Sequence, residues 1–274
     1  MRPLLSLFLL IAPALQAGNH PFYAFENGAR KATHELRAEL LGELDYDGIG
    51  SASLPKDGDL AALFASYEKR NLRVFSFYVG GTVEPDGFSL APTLLEAMPK
   101  LQGRDITLEF FVRGDRSAPI EQAVELVRTV ADRAAAFDVD LVIYPHSNFY
   151  IESFAEALNL AQQVDRENVG VMFNLCHFLK VEPGANLRAT LEAAGPLLRQ
   201  ASVSGADQEG ADWQSLIQPL GEGDYPVAEV LDIFREIGFE GPVGLQCYNV
   251  KGAPEDFLAA SISAWKAMRN SSQE

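Results

Sequence analysis

Polar residues suited to proton transfer and hydrogen bonding collect just past four short apolar runs of the sequence. The run Leu141-Val142-Ile143 leads into Tyr144-Pro145-His146, and the run 169–173 into Asn174-Leu175-Cys176-His177. The run 200–203 leads into Ser204-Gly205-Ala206-Asp207, and Val243-Gly244-Leu245 into Gln246-Cys247-Tyr248. Two of the four histidines of the chain are in this set. An imidazole titrates near neutral pH, so His146 and His177 can serve as acid and base, with the Tyr144 hydroxyl beside them. Asn174, Ser204 and Gln246 offer neutral donors and acceptors, and Lys251, just past the last run, a cation for a developing oxyanion. Each has a plainer role beside the chemical one. A histidine at a strand end can be structural, Asn174 and Gln246 can cap loops, Asp207 can cap the next helix, and Lys251 can be a solvated loop charge.

These residues need elements that bring them together. The chain alternates short β-rich runs with longer amphipathic segments, as it does when each strand is followed by a crossover helix. Candidate strands lie at 22–25, 47–50, 73–78, 106–111, 141–144, 169–173, 200–204 and 243–248. Between them Leu60, Leu63, Phe64 and Tyr67 recur at helical spacing, as do Val124, Val127, Ala131 and Ala134, and Val227, Val230, Leu231, Phe234 and Ile237. Such stripes are core faces. Short turns join the elements, and no linker or composition shift divides the series. The fold expected is α/β, a single (β/α)8 TIM barrel over residues 18–274. A doubly wound open sheet normally carries a glycine-rich first turn, and neither that motif nor a phosphate-binding loop occurs here.

In such a barrel the strands' carboxyl ends form one mouth, and alternation puts Tyr144 and His146 on one face, and Gln246 and Tyr248 on another. Glu26, Asn27 and Arg30, after the first strand, are further candidates for the mouth. Glu109 lies within the otherwise apolar fourth run, where an ionised carboxylate is costly without a partner. Either it faces the barrel interior and pairs with a cation such as Arg113, or the strand starts later and the carboxylate is solvated.

The remaining composition speaks mainly against partners. Among 274 residues, 38 acidic and 22 basic side chains give a net charge of −16, which disfavours nucleic acid and anionic membranes. The two cysteines, Cys176 and Cys247, fall in different strands and read as small buried residues rather than a disulfide or zinc framework. Arg2, the apolar run 4–11 and the small Ala17 read as an export signal at residues 1–17, which places the mature chain in the periplasm or outside the cell. No stretch is long enough to span a membrane, so no insertion is expected after cleavage.

The segment Gly170-Val171-Met172-Phe173-Asn174-Leu175-Cys176-His177 resembles the G-x-x-x-D-x-x-H segment of the sugar phosphate isomerase/epimerase superfamily, the xylose isomerase-like barrels. Tyr46-Asp47-Gly48-Ile49 resembles that family's entry to the second strand, and Gln218-Pro219-Leu220-Gly221-Glu222-Gly223 its L-G-x-G loop. Gly241-Pro242-Val243-Gly244-Leu245-Gln246 resembles its last strand. The resemblance implies a carbohydrate substrate, and it extends the candidate binding residues to Gln218. It also admits a homodimer.

The family's usual chemistry uses a divalent metal held by Glu, Asp, His and Glu at four strand ends. At the matching positions this chain has Tyr144, Asn174, Ser204 and Gln246. Neutral oxygens bind a dication weakly, and amides cannot act as bases, so a metal is an open question and the usual carboxylate ligands are absent. What remains suits a polyhydroxylated ligand, recognised by amides, hydroxyls and aromatic faces, with the two histidines as acid and base. The reading is an isomerase, epimerase or related lyase acting on a free or oxidised sugar. A sugar-binding barrel without turnover and a purely structural barrel are the alternatives.

Overall fold

Short runs, several of them buried along their whole length, become strands. These are β1 (Phe22–Phe25), β2 (Gly48–Ser51), β3 (Arg73–Glu84), β4 (Gly87–Leu90) and β5 (Thr107–Gly114). They continue as β6 (Asp140–Ile143), β7 (Val169–Asn174), β8 (Leu198–Val203) and β9 (Val243–Leu245). The computed structural model describes residues 20–271, so the export signal expected at 1–17 lies outside the described residues. Eight of the nine strands pair in parallel in the order β2-β1-β9-β8-β7-β6-β5-β3, and the pairing of β2 with β3 closes the ring. This is a TIM barrel.

The first helices are α1 (His34–Glu43), α2 (Asp57–Glu68), α3 (Pro92–Leu101), α4 (Ile120–Ala135) and α5 (Phe154–Val164). They are followed by α6 (Leu175–Val181), α7 (Leu187–Ala194), α8 (Trp213–Leu216), α9 (Val227–Glu236) and α10 (Pro254–Ser271). Their apolar stripes form the outer core against the strands. On α4 the stripe is Val124, Val127, Val130, Ala131 and Ala134, all buried. On α10 Trp265 stacks on Phe22 of β1, with ring centroids 4.1 Å apart.

One element departs from strict strand-helix alternation. β3 runs on to Glu84 and turns through Pro85 and Asp86 into β4, which pairs antiparallel with it from Glu84↔Gly87 to Gly81↔Leu90. Proline presets the backbone dihedral that such a turn needs at its second position.

The barrel interior is a second, smaller apolar cluster. Tyr23, Phe25, Phe75, Val142, Tyr144 and Met172 fill it. The rings of Tyr23 and Phe25 fit because Gly50 and Gly244 stand opposite. A Cβ on Gly244 would lie 2.7 Å from Tyr23 and 2.8 Å from Phe25. Two small residues therefore set the height of the aromatic floor on which the site rests.

The loop from β6 to α5 ends in a reciprocal cap. Ser153 caps α5 by accepting from the Glu156 amide, and the Glu156 carboxylate reaches back to the Ser153 amide. Replacing Ser153 with Ala removes one of these bonds and is expected to cost about 1 kcal/mol, measurable by urea denaturation.

Candidate active site

His146 and His177 reach the barrel mouth by different routes. β6 stops at Ile143, and the following loop turns back on itself. The Phe149 amide donates to the His146 carbonyl (2.9 Å) and the His146 amide to the Ile151 carbonyl (3.0 Å). Asn148 takes the left-handed conformation that the turn requires (φ 67°), which asparagine tolerates better than most residues. His177 needs no loop, because β7 passes directly into α6 at Leu175 and places the imidazole on the first turn. The two rings meet with centroids 4.1 Å apart. Phe149 stacks on the outer face of His146 at 3.9 Å, and Trp213 meets His177 edge-on at 5.1 Å.

A single residue sets the protons of both rings. His146 Nδ1 lies 2.8 Å from the Ser147 carbonyl oxygen, an acceptor only, so Nδ1 carries the hydrogen and Nε2 keeps its lone pair. The Ser147 amide donates to His177 Nδ1 at 3.3 Å, so that nitrogen is the acceptor and His177 Nε2 carries the hydrogen. The neighbouring imidazoles are therefore opposite tautomers. Burial, above all, lowers both pKa values below the ordinary 6.5 and drives His177 well below it, with His146 adding to the effect. For His146 the Ser147 carbonyl works against that shift, and the Arg113 charge works with it. Both rings are neutral at neutral pH.

Tyr144 lies beneath them, 3% exposed. Asn174 Nδ2 donates to its oxygen, which leaves the Tyr144 hydrogen free for a ligand. Burial first, then the neighbouring Tyr78, raises the Tyr144 pKa well above 10.0, so the phenol stays neutral. Asn174 is held in turn by the Cys176 thiol, which donates to Oδ1 at 3.1 Å. Both cysteines are free and buried, and burial pushes the Cys176 thiol up to about 12.

The cavity above these groups has a volume of about 440 Å³. Tyr144, His146, His177, Gln246 and Tyr248 line it, as the strand-end pattern led us to expect, together with Asn27. Its walls also include Phe25, Tyr78, Phe149 and Trp213, and Arg113. Tyr248 is 56% exposed at the rim, an open aromatic face. Gln246 combines two roles. Its Oε1 accepts from Asn27 Nδ2 (3.2 Å), the Cys247 amide (3.0 Å) and the Tyr248 amide (3.1 Å), so it caps its own loop while bordering the cavity.

Other candidates lie elsewhere. Ser204 is fully buried and donates to the Leu216 carbonyl at 3.1 Å, a bond that ties β8 to α8. Asp207 does not cap the next helix, because Asp212 does, accepting from the amides of Gln214 and Ser215. Gln218 and Lys251 line a neighbouring cavity of about 580 Å³ that shares only Ile217 with the first. Lys251 donates there to Asn249 (2.9 Å), so it does not stand beside the histidines as an oxyanion partner. Arg30 donates to the Gly252 carbonyl, and Glu26 receives Arg37 and Ser51.

Glu109 is neither solvated nor paired with Arg113. It is fully buried inside the barrel, with Oε1 accepting from Ser76 (2.5 Å), Gln200 (2.7 Å) and Tyr23 (3.1 Å). Desolvation, opposed by these hydrogen bonds, pushes its pKa up from 4.5 to about 7. Arg113, four residues on in β5, sits higher, over the rings of Phe111 and Phe149.

The four positions matched to metal ligands do not fit a divalent cation. Tyr144 and Asn174 are bonded to each other, the Ser204 hydroxyl is spent on a backbone carbonyl, and the Gln246 oxygen already accepts three N–H groups. None carries a charge. Among the described residues no three His, Cys, Asp or Glu side chains are grouped to hold a metal.

The closed parallel barrel defines the class of protein. The chain belongs to the family of xylose isomerase-like TIM barrels, whose sequence model matches residues 39–268. No curated protein matches the sequence. The fold is similar to that of the IolI protein, solved with a bound zinc atom, with a TM-score of 0.74 and 15% identity over 92% of this chain and 98% of that one. It is also similar to D-psicose 3-epimerase from Clostridium cellulolyticum H10 (TM-score 0.68, 17% identity, 91% and 98% covered). The 3-keto-D-glucoside 4-epimerase YcjR from E. coli gives a TM-score of 0.71 at 13% identity, with 90% and 99% covered.

Proposed function

We propose that this chain is an acid-base enzyme that moves a proton between adjacent carbons of a free or oxidised sugar. The observation that carries the reading is the pair of opposite tautomers fixed by Ser147. An unprotonated His146 Nε2 is the base for a hydrogen on the carbon next to a carbonyl. The His177 Nε2–H, neutral and deeply buried, donates to the carbonyl oxygen and stabilises the enediolate as it forms. Tyr144, with its hydrogen free, is a second donor to that oxygen or its neighbour. His146 then returns the proton to the neighbouring carbon, and a hydroxyl proton moves to the first oxygen, so that atoms and charge balance. One base beside one donor favours transfer along one face of the substrate, an isomerisation. Inversion at a single carbon needs a second base on the opposite face.

The aromatic wall suits the apolar faces of a sugar ring, and Asn27, Gln246 and Tyr144 suit its hydroxyls. The epimerases among the structural neighbours are consistent with a carbohydrate. The signal-like residues 1–17 favour action outside the cytoplasm, where unphosphorylated sugars are the expected substrates. The test is incubation with aldoses, ketoses and their acids in heavy water, followed by proton NMR. Deuterium at the carbon beside the carbonyl, together with a new isomer, is the expected result. A thermal shift on sugar binding without any deuterium uptake would favour a binding-only barrel, the reading prompted by neutral residues at all four ligand positions.

A further inference from the structure

We propose, resting on the sugar reading above, that the substrate carries a carboxylate, as uronic and aldonic acids do, and that Arg113 holds it. Arg113 is the one formally charged side chain lining the histidine cavity. Its guanidinium lies 4.6 Å from the Phe111 ring centroid and 4.5 Å from that of Phe149. Aromatic contact through its flat face leaves the in-plane N–H groups to meet an acceptor edge-on, the geometry in which a guanidinium receives a carboxylate with two parallel hydrogen bonds.

The protein supplies no carboxylate there, and the side-chain acceptor Arg113 meets is the neutral Tyr78 hydroxyl. No carboxylate pairs with Arg113 among the described residues, although the chain has 38 acidic side chains against 22 basic ones. Other arginines of the protein are treated differently. Arg116 is paired with Glu152 and Glu156, and Arg37 with Glu26. An arginine whose charge meets only a neutral phenol, at the wall of an otherwise neutral cavity in a strongly acidic protein, is a place for a ligand's negative charge.

The location also fits. Phe149 touches Arg113 on one side and stacks on His146 at 3.9 Å on the other, so anchor and base share one wall and are separated by one ring. A six-carbon acid held by its carboxylate at Arg113 places its further carbons toward the imidazoles. A phosphate dianion is less well served, because one guanidinium with neutral neighbours leaves most of its oxygens without a charged donor.

The experiment is calorimetric titration with matched pairs, D-glucuronate against D-glucose and D-galacturonate against D-galactose, on the protein and its R113Q and R113K variants. The acid of at least one pair is expected to bind about 10- to 100-fold tighter than its neutral partner, the value of a charge-assisted hydrogen-bonded pair. That preference is expected to vanish in R113Q and to return only in part in R113K, whose ammonium lacks the fork. Equal binding of acid and neutral sugar, or a preference that survives R113Q, would overturn the carboxylate anchor and leave the sugar site standing. Tighter binding of D-glucose 6-phosphate than of D-glucuronate would assign the guanidinium to phosphate and also overturn it. No binding by any acid or neutral sugar would bring down the sugar reading itself.

Discussion

Replacement of His146 by Gln is expected to lower kcat by about 10²- to 10⁴-fold, the usual contribution of a positioned general base. The same loss is expected for His177→Asn, but the two variants differ in their pH profiles. His146 is the base in the free enzyme, and burial holds its pKa below 6.5, so the acid limb of kcat/KM falls below that value in the unmodified protein. In H177N the limb persists, because Asn can accept the Ser147 amide through Oδ1 and leaves the base in place. In H146Q the limb disappears with the group that makes it. Stopped-time assays across pH with whichever sugar shows deuterium uptake would check both statements. An H146Q enzyme with an unchanged limb would remove His146 from the role of base.

Replacement of Glu109 by Gln is expected to stabilise the protein at alkaline pH, by about 3 kcal/mol if the full shift is expressed. In the unfolded chain the carboxyl titrates near 4.5, and in the folded barrel burial raises that to about 7. Between these values the folded state holds a proton that the unfolded state has lost. The stabilisation is fully present below 4.5 and is lost as pH rises through about 7. The histidines act in the opposite sense, because their folded pKa values are depressed. Their contribution is present above 6.5 and falls away as acid is added. The two slopes partly cancel in the native protein, so the comparison that isolates Glu109 is between it and E109Q. Urea denaturation at about pH 5 and about pH 8 should show the variant gaining at the higher value and changing little at the lower. A uniform loss at both would mean that Gln cannot replace the bonds to Ser76, Tyr23 and Gln200, and would remove the raised carboxyl as the cause of the slope.

The barrel was legible because its signal is repeated. The short continuous apolar run 169–173 and the stripe Val124, Val127, Ala131 and Ala134 at helical spacing both lie where the sequence places them, as a strand buried on both faces and a helix. The β3–β4 hairpin was not anticipated, because strand-helix alternation was carried through a segment whose Pro85-Asp86-Gly87 turn argued for a reversal. At the mouth, Tyr144, His146, Gln246 and Tyr248 all line the cavity, but not through the expected alternation, because β6 ends at Ile143 and β9 at Leu245 and loops carry all four residues there. Glu109 could be recognised as anomalous, but its partners come from β1, β3 and β8, and one-dimensional spacing does not reveal which neighbours a closed ring creates. Gln218 and Lys251 stand next door for a similar reason. The direction of a loop after its strand is a property of packing, and here the chain carries both residues around to the far side of Ile217. Arg113 was noticed only as a partner for Glu109, which lies lower on the same strand.

The role of Ser147 was hidden for a different reason, since it acts through its carbonyl and amide and not through its hydroxyl. Main-chain groups are the same in every amino acid except proline, which lacks the amide. The instruction that makes one imidazole a base and the other a donor is therefore not encoded in the identity of the residue that gives it. Other small residues that fit this buried position can stand at 147 without altering the chemistry, while a one-residue insertion between His146 and Asn148 would exchange or erase both roles and leave each histidine in the sequence.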